Sequence, residues 1–203
     1  MTRPPKARQQ VLDAARRIVE ERGAGHVTFD ELARVSGVTR GGITYHFPTK
    51  EDLLRGLIEA DVAQWQQAAD AATAEATCEG IACPRAAALR GQLRCQLGED
   101  EQHRRFVAGM LMAGIADDSL LEPVRAHQAR QFGDWRWDEA DLRRFLLLAA
   151  ADGLFWQDMF RLSPIPAEAR PRLHALIERL LDEWSPVETA PPDSTKPPDS
   201  TKP

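Results

Sequence analysis

No apolar run in this chain approaches the roughly 20 residues that a membrane-spanning helix requires, so no transmembrane segment and no membrane partner are expected. The amino end, MTRPPKARQQ, is basic, yet no apolar signal region follows it, and the cytoplasm is the expected location. Cysteine is scarce. Cys78, Cys83 and Cys95 are odd in number and form no CxxC pair, which argues against a disulfide framework. The short gap between Cys78 and Cys83 leaves a redox switch or a metal site open, although no histidine stands close in sequence to complete one. The five histidines, His26, His46, His103, His127 and His174, are scattered and form no catalytic constellation. Neither an enzyme nor a cofactor is expected; His103 and His127 meeting across neighbouring helices as metal ligands stays open beside the commoner surface histidine. Strand-type alternation is missing as well, which points to an all-α fold.

The composition suits a globular chain with a real core. At 203 residues, 43% hydrophobic and 28% charged, it should bury about 65 to 70% of its extended surface on folding. Its net charge of −5 would argue against nucleic acid were it evenly spread. Residues 1 to 50 hold nine Lys and Arg against five Asp and Glu, a net +4, which leaves −9 for the rest. Such polarity draws the amino-terminal end toward phosphates and predicts salt-sensitive binding, with Arg3, Lys6 and Arg8 as an extending arm.

The positive end carries TFDELARVSGVTRGGITYHFPTK, residues 28 to 50. Thr28 followed three residues later by Glu31 reads as a capping box that opens a helix, with Phe29, Leu32, Ala33 and Val35 on its buried side. Gly37 suits the left-handed turn that ends it. Val38 then points back to the core, Thr39 can cap a second short helix, and Ile43 and Phe47, four apart, give that helix its buried side. Its outer face carries Gly41, Gly42 and Tyr45, flanked by Thr44, with Arg40 projecting at the amino end. Two glycines cost an isolated helix roughly 1 kcal/mol each relative to alanine, and close approach of a DNA backbone would explain them. Pro48 stops the helix, and Thr49 with Asp52 caps the next. That leaves Lys50 in its first turn, where a cation opposes the helix dipole but joins the free amides as a phosphate clamp. The order is that of a helix-turn-helix, whose second helix reads the major groove.

These residues closely resemble the amino-terminal signature of the TetR family of transcriptional regulators. GVTRGGITYHFPTKEDLL matches its recognition helix and the start of its fourth helix, and the resemblance spans roughly residues 7 to 58. It implies that Thr28, Tyr45, His46 and Lys50 hold phosphates and that Thr39, Arg40, Gly42 and Thr44 lie near base edges. One position departs from the commonest pattern: Thr44 stands directly after the buried Ile43, and Tyr45 follows it. The resemblance further implies a small-molecule pocket in the body and pairing of two subunits through the last two long helices.

Outside that signature the expectations rest on helical spacing. A first helix from about residue 6 to 22 carries Val11, Leu12, Ala15, Ile18 and Val19, and Gly23 ends it. The fourth helix runs from about Thr49 toward Ala72 and links head to body, so a tilt of its far end would move Lys50 and the recognition helix together. Residues 76 to 84 break the pattern, and helices follow over Arg85 to Leu97, Glu99 to Ala116, Ser119 to Phe132 and Glu139 to Arg161. The last of these is apolar nearly all round, with Leu142, Phe145, Leu146 and Trp156 on one face and Leu147, Leu148, Ala151 and Phe155 on another. A final helix bearing Leu173, Ile177 and Leu181 can cover only part of it. A twofold homodimer is expected, with a buried central helix in a monomer as the alternative. Two heads would engage half-sites about 34 to 36 Å apart on a near-palindromic operator.

Within the body, Trp65, Phe106, Met110, Met112, Trp135, Trp137, Phe155, Trp156 and Met159 supply aromatic and thioether surface for an apolar effector, although each taken singly is more commonly a core residue. Two or three of them should line a cavity. Asp152 interrupts LLLAAADGLFW and needs either a hydrogen-bonded partner or a polar cavity, since an isolated buried carboxylate is costly. Facing a cavity, it would favour a cationic or hydrogen-bond-donating ligand. The expected organisation is a three-helix DNA-binding head over 1–48, a helical-bundle ligand-binding and dimerisation body over 49–185, and a disordered tail over 186–203 that ends in PDSTKP twice. The expected function is a dimeric repressor, released from double-stranded DNA by a small apolar ligand. An activator or corepressor-type regulator stays open, as does a redox sensor built on the cysteines.

Overall fold

The computed structural model describes residues 6–80, 84–98 and 101–184, and among them every regular element is helical. α1 (Lys6–Arg22) turns Val11, Leu12, Ala15, Ile18 and Val19 inward and ends where Gly23 takes a positive φ of 85°. α2 (Phe29–Ser36) begins at Thr28, whose side chain accepts the Glu31 amide, and ends at Gly37 in the left-handed conformation. Only half of the expected capping box forms. The Glu31 carboxylate accepts from the guanidinium groups of Arg22 and Arg34, since a charge-assisted bond is stronger than one to a neutral amide.

α3 (Arg40–His46) is capped by Thr39, which accepts the Gly42 amide, and buries Ile43. α4 (Lys50–Cys78) opens with a complete capping box, Thr49 and Asp52 each accepting the other's amide. It continues past Ala72 because the alanine-rich stretch beyond keeps its helix propensity and buries Ala76. The break falls at Gly80, where φ is 96°. α5 (Pro84–Leu97) returns along α4, and at Gly91 a β-carbon would lie only 2.4 Å from Thr73 Oγ1. α6 (Glu101–Ala116) crosses α1 in the same manner at Gly109, where a β-carbon would fall 2.3 Å from the Val19 carbonyl oxygen.

A 3₁₀ turn (Asp118–Leu121) precedes α7 (Glu122–Phe132), so the helix expected from Ser119 starts later, as Asp117 accepts the Ser119 amide. α8 (Glu139–Met159), capped by Asp138, and α9 (Arg170–Trp184) follow. Two cores result. Val11, Ile18, Leu32, Ile43 and Phe47 close the head, and the same core continues into α4 with Leu53 and Leu57 and into α6 with Phe106 and Met110. Leu89, Leu93, Leu147, Leu148, Ile177 and Leu181 form the other, between α5, α8 and α9. Arg90, itself buried, pairs with Glu178 and Asp182 across that second core.

One face of α8 stays uncovered. Leu142, Phe145, Leu146 and Trp156 are exposed, Leu146 by 58%, and so is Phe160 just past the end of the helix. No helix among the described residues is long and apolar enough to cross a membrane. Arg3, Cys83, Glu99 and the expected disordered tail over 186–203 lie outside the described residues.

Candidate nucleic-acid interface and body cavity

Three helix starts meet in the head. Each is capped by a threonine, Thr28, Thr39 or Thr49, and Thr28, Arg40 and Lys50 line a shallow groove of about 300 Å³. Helix starts leave amides unbonded and carry partial positive charge, so such a groove suits an anionic oxygen. Beyond it Tyr45 projects from α3 with 82% of its surface exposed, its ring edge-on to His46 at 5.1 Å between centroids. Thr39 and Gly41 are exposed; Gly42, Thr44, His46 and Lys50 are half-buried.

Several of these groups are already engaged. The Arg40 guanidinium leans back onto α2, held by the Asp30 carboxylate and 5.9 Å from the centre of the Phe29 ring. Lys50 Nζ donates to the Gly25 carbonyl at 3.3 Å. Thr44 Oγ1 donates to the Arg40 and Gly41 carbonyl oxygens at 3.1 and 3.3 Å, which turns its hydroxyl into its own helix. The two glycines differ. A β-carbon at Gly42 would meet Val38 Cγ1 at 3.0 Å and Thr39 Oγ1 at 3.3 Å, so packing within the turn accounts for that glycine without DNA. Gly41 faces open space. Asp30 is the neighbour that helical spacing missed, because it reaches Arg40 across the turn between α2 and α3.

The body holds a second candidate site. A cavity of about 840 Å³ opens between α4, α5, α6, α7 and α8, within the size range of small-molecule sites. Trp65, Phe106, Met110, Phe155 and Trp156 line it, and so does Asp152. Trp135, expected with them, is not a lining residue: the α7–α8 connection folds it onto Phe132, ring centroids 4.9 Å apart. Asp141 holds that fold, its buried carboxylate accepting the Arg136 and Trp137 amides at 2.7 and 3.2 Å and pairing with Arg144 and Arg85. Burial alone would raise this carboxyl; the Arg136 amide, then Arg144 and Arg85, hold it below its ordinary value. Met112 and Trp137 are exposed outside the cavity.

Asp152 meets both conditions that its place in an apolar run set. It accepts from Gln96 Nε2 at 2.6 Å and it faces the cavity. It is an exposed residue rather than a core one, yet its carboxyl lies far enough inside the cavity walls that burial pushes it above the ordinary carboxylate value. His103 and His127 also reach the cavity. His103 Nδ1 lies 3.4 Å from Asp61 Oδ1, and His127 packs edge-on against Trp65 at 5.3 Å. Among the described residues no three His, Cys, Asp or Glu side chains gather as a metal site needs. Cys78 is exposed and Cys95 half-buried on the cavity wall, where burial pushes its thiol up and so opposes thiolate chemistry.

Residues 11–57 match the family described as "Bacterial regulatory proteins, tetR family", and residues 86–182 match "Tetracyclin repressor-like, C-terminal domain". The chain belongs to the TetR family. The HTH-type transcriptional regulator TtgR of Pseudomonas putida is 31% identical over 101 residues, 50% of this chain and 47% of that protein. The regulator AcrR of Shigella flexneri is 39% identical over 54 residues, 27% of this chain and 25% of that protein. The chain thus spans half or less of the length of these curated relatives. A solved TetR-family structure from Streptomyces coelicolor A3 shares the fold with a TM-score of 0.64 at 25% identity, over 87% of this chain and 98% of that one.

In this TetR-family chain two elements join the head to the cavity. α4 carries Lys50 in its first turn and Ile58, Asp61, Val62 and Trp65 on the cavity wall. α1 is bound to that wall from outside: Arg16 pairs with Asp61 Oδ1 at 2.9 Å, its guanidinium lies 4.4 Å from the centre of the Phe106 ring, and Val19 meets Gly109. Helical spacing had no means of singling out Arg16, which reads as a solvent-side arginine. Gly109, a small residue inside the apolar run FVAGMLMAGIA, was the readable hint of a close crossing.

Proposed function

We propose that this chain is a DNA-binding transcriptional regulator: a homodimer whose heads read a near-palindromic operator and whose body releases it when a small, largely apolar molecule fills the cavity. The observation that carries this function is α4. One uninterrupted helix begins at the groove suited to phosphate and continues as the cavity wall, so a ligand that reshapes the wall acts on the helix that positions the groove. Thr28, Tyr45, His46 and Lys50 supply phosphate contacts. Thr39, Gly41, Gly42 and Thr44 present the backbone and small side chains that approach the bases, and Arg40 joins them by leaving Asp30. Dimerisation is supported by the apolar face of α8, which has no cover within the described chain and which a second copy would bury. Two paired heads then meet half-sites about 34 to 36 Å apart. Such a regulator works in the cytoplasm.

The test is to retain fragmented DNA from the encoding genome on the purified protein and sequence what is held. Enrichment of a near-palindrome is expected, with affinity that falls as salt rises, by a slope of about −0.9 per neutralised phosphate. Tyr45→Ala should weaken that binding. Retention without a common sequence, insensitive to Tyr45→Ala, would overturn the function.

A further inference from the structure

We propose that the molecule the cavity takes is an organic cation with a flat aromatic body, its charge held by Asp152. This rests on the function just given, in which the cavity is the effector site.

Three carboxylates line the cavity, Asp61, Asp118 and Asp152, and among the described residues no lysine or arginine does. Two of the three are already matched. Asp61 pairs with Arg16 at 2.9 Å and stands 3.4 Å from His103, and Asp118 pairs with Arg125. Asp152 differs. Its bond comes from the neutral amide of Gln96, and among the described residues no cationic side chain pairs with it. A neutral amide orients a carboxylate without cancelling its charge. A carboxylate among largely apolar walls with no counter-ion is costly, and an incoming cation removes that cost. The upward push that burial exerts on this carboxyl is the same cost seen from the proton's side.

The neighbours of Asp152 set the rest of the ligand. Phe155 and Trp156 follow it on α8 at the helical spacing that puts side chains on one face, and both line the cavity. Their rings meet edge to face, centroids 5.7 Å apart. Trp65 and Phe106 stand on the other walls. Aromatic faces hold flat rings by stacking and attract positive charge through their quadrupole. A metal ion does not fit: one carboxylate and one amide are too few oxygen ligands, and a cavity of about 840 Å³ is far too large for it. An anion would face Asp152, and among the described residues no lysine or arginine lines the walls to receive it.

N-Methylacridinium, acridine and acridine-9-carboxylate share one flat frame and are cationic, neutral and anionic at mildly alkaline pH. Their binding to the full chain can be followed by quenching of tryptophan fluorescence. The acridinium should bind at least about tenfold more tightly than acridine, the carboxylate most weakly, and Asp152→Asn should bring acridinium and acridine within about twofold. Asp152→Glu should retain the preference. Where Asp152→Asn does not fold, the unaltered protein decides alone, since no preference for the cation overturns the proposal. Equal binding of all three overturns it while leaving the cavity as an effector site. A cation preference that survives Asp152→Asn overturns the assignment to that residue. Binding of none of the three overturns both the proposal and the effector role of the cavity.

Discussion

Alanine at Gly109 should loosen the crossing between head and body. In an ordinary helix interior, replacing glycine by alanine stabilises by about 1 kcal/mol. Here the added β-carbon would lie 2.3 Å from the Val19 carbonyl oxygen, 2.9 Å from Val19 Cγ1 and 3.1 Å from the Val19 carbonyl carbon. The first of these is about 1 Å inside normal contact, where attraction has turned to steep repulsion. The obstacle is the backbone of α1 and not the end of a flexible side chain. Val19 is 1% exposed and packed on all sides, so the two helices must separate as bodies. Overpacking of this kind costs about 1 to 3 kcal/mol, which leaves a net loss of up to about 2 kcal/mol after the gain in helix propensity. For a chain of this size each kcal/mol moves the melting midpoint by about 2 to 4 °C, so a fall of up to about 8 °C is expected by calorimetry, in place of the rise that an unobstructed alanine would give. Under the proposed function, operator affinity should change as well, although Gly109 lies on α6, because α1 is drawn away from the cavity wall. A variant that melts above the unaltered protein, with unchanged operator affinity, would refute the crossing as a tight contact.

Asp30→Asn frees Arg40 and removes a negative charge beside the groove, so operator affinity should rise by up to about fivefold, the worth of a surface ion pair; a fall would mean that Asp30 orients Arg40 for its contact. Thr49→Ala removes the hydroxyl half of the α4 capping box and should cost about 1 kcal/mol, read as a lowered melting midpoint, and an unshifted midpoint would discount the cap. Glu31 should titrate at about 2, pulled from the ordinary 4.5 by hydrogen bonds from Arg34 and then Arg22. Because its folded value is depressed, what this cluster adds to stability is present above 4.5 and lost as pH falls through about 2. A carboxyl midpoint near 4.5 by nuclear magnetic resonance would show the two arginines elsewhere in solution. Leu146→Glu puts a charge on the uncovered face of α8 and should leave a folded monomer by size-exclusion chromatography; an intact dimer would move the interface to another surface.

The head was legible where its signals are local. Thr39 and Thr49 cap the helices that follow them, Gly37 turns left-handed, and Ile43 and Phe47 are buried, because each of these needs only a few neighbours in sequence. Competition between partners was not legible. Glu31 had a choice between the Thr28 amide and two guanidinium groups, and the charged partners prevailed. Gly42 looked like a place left open for DNA, yet the side chains of Val38 and Thr39 fill the space that a β-carbon would need. In the body a lone carboxylate in an apolar run marked Asp152, but Gln96 lies 56 residues away in sequence, and no periodicity links the two. Trp135 failed as an expected lining residue for a related reason. The direction of a side chain in a short connection follows from its turn, and that turn is fixed by Asp141 from the next helix.

A ligand can shift the head only by binding one arrangement of the walls more tightly than another. Arg16 is where such a difference would be felt, because α1, α4 and α6 are joined there: Asp61 comes from α4 and the Phe106 ring from α6, while Glu20 steadies the guanidinium at 2.8 Å from within α1. Asp61 and Phe106 both line the cavity, so an occupant that displaces either one strains an ion pair or a cation–π contact anchored on the head. Among the described residues neither α2 nor α3 lines the cavity. Their route to it is the packed core of Val11, Ile18, Leu32 and Ile43, and close-packed interiors pass on a displacement instead of absorbing it. The recognition helix should therefore move with α1 and α4 and not independently. In the proposed dimer two heads on one duplex would have to match half-sites at fixed spacing, so a tilt that carries Tyr45 a few ångströms along the groove would be enough to spoil both contacts at once.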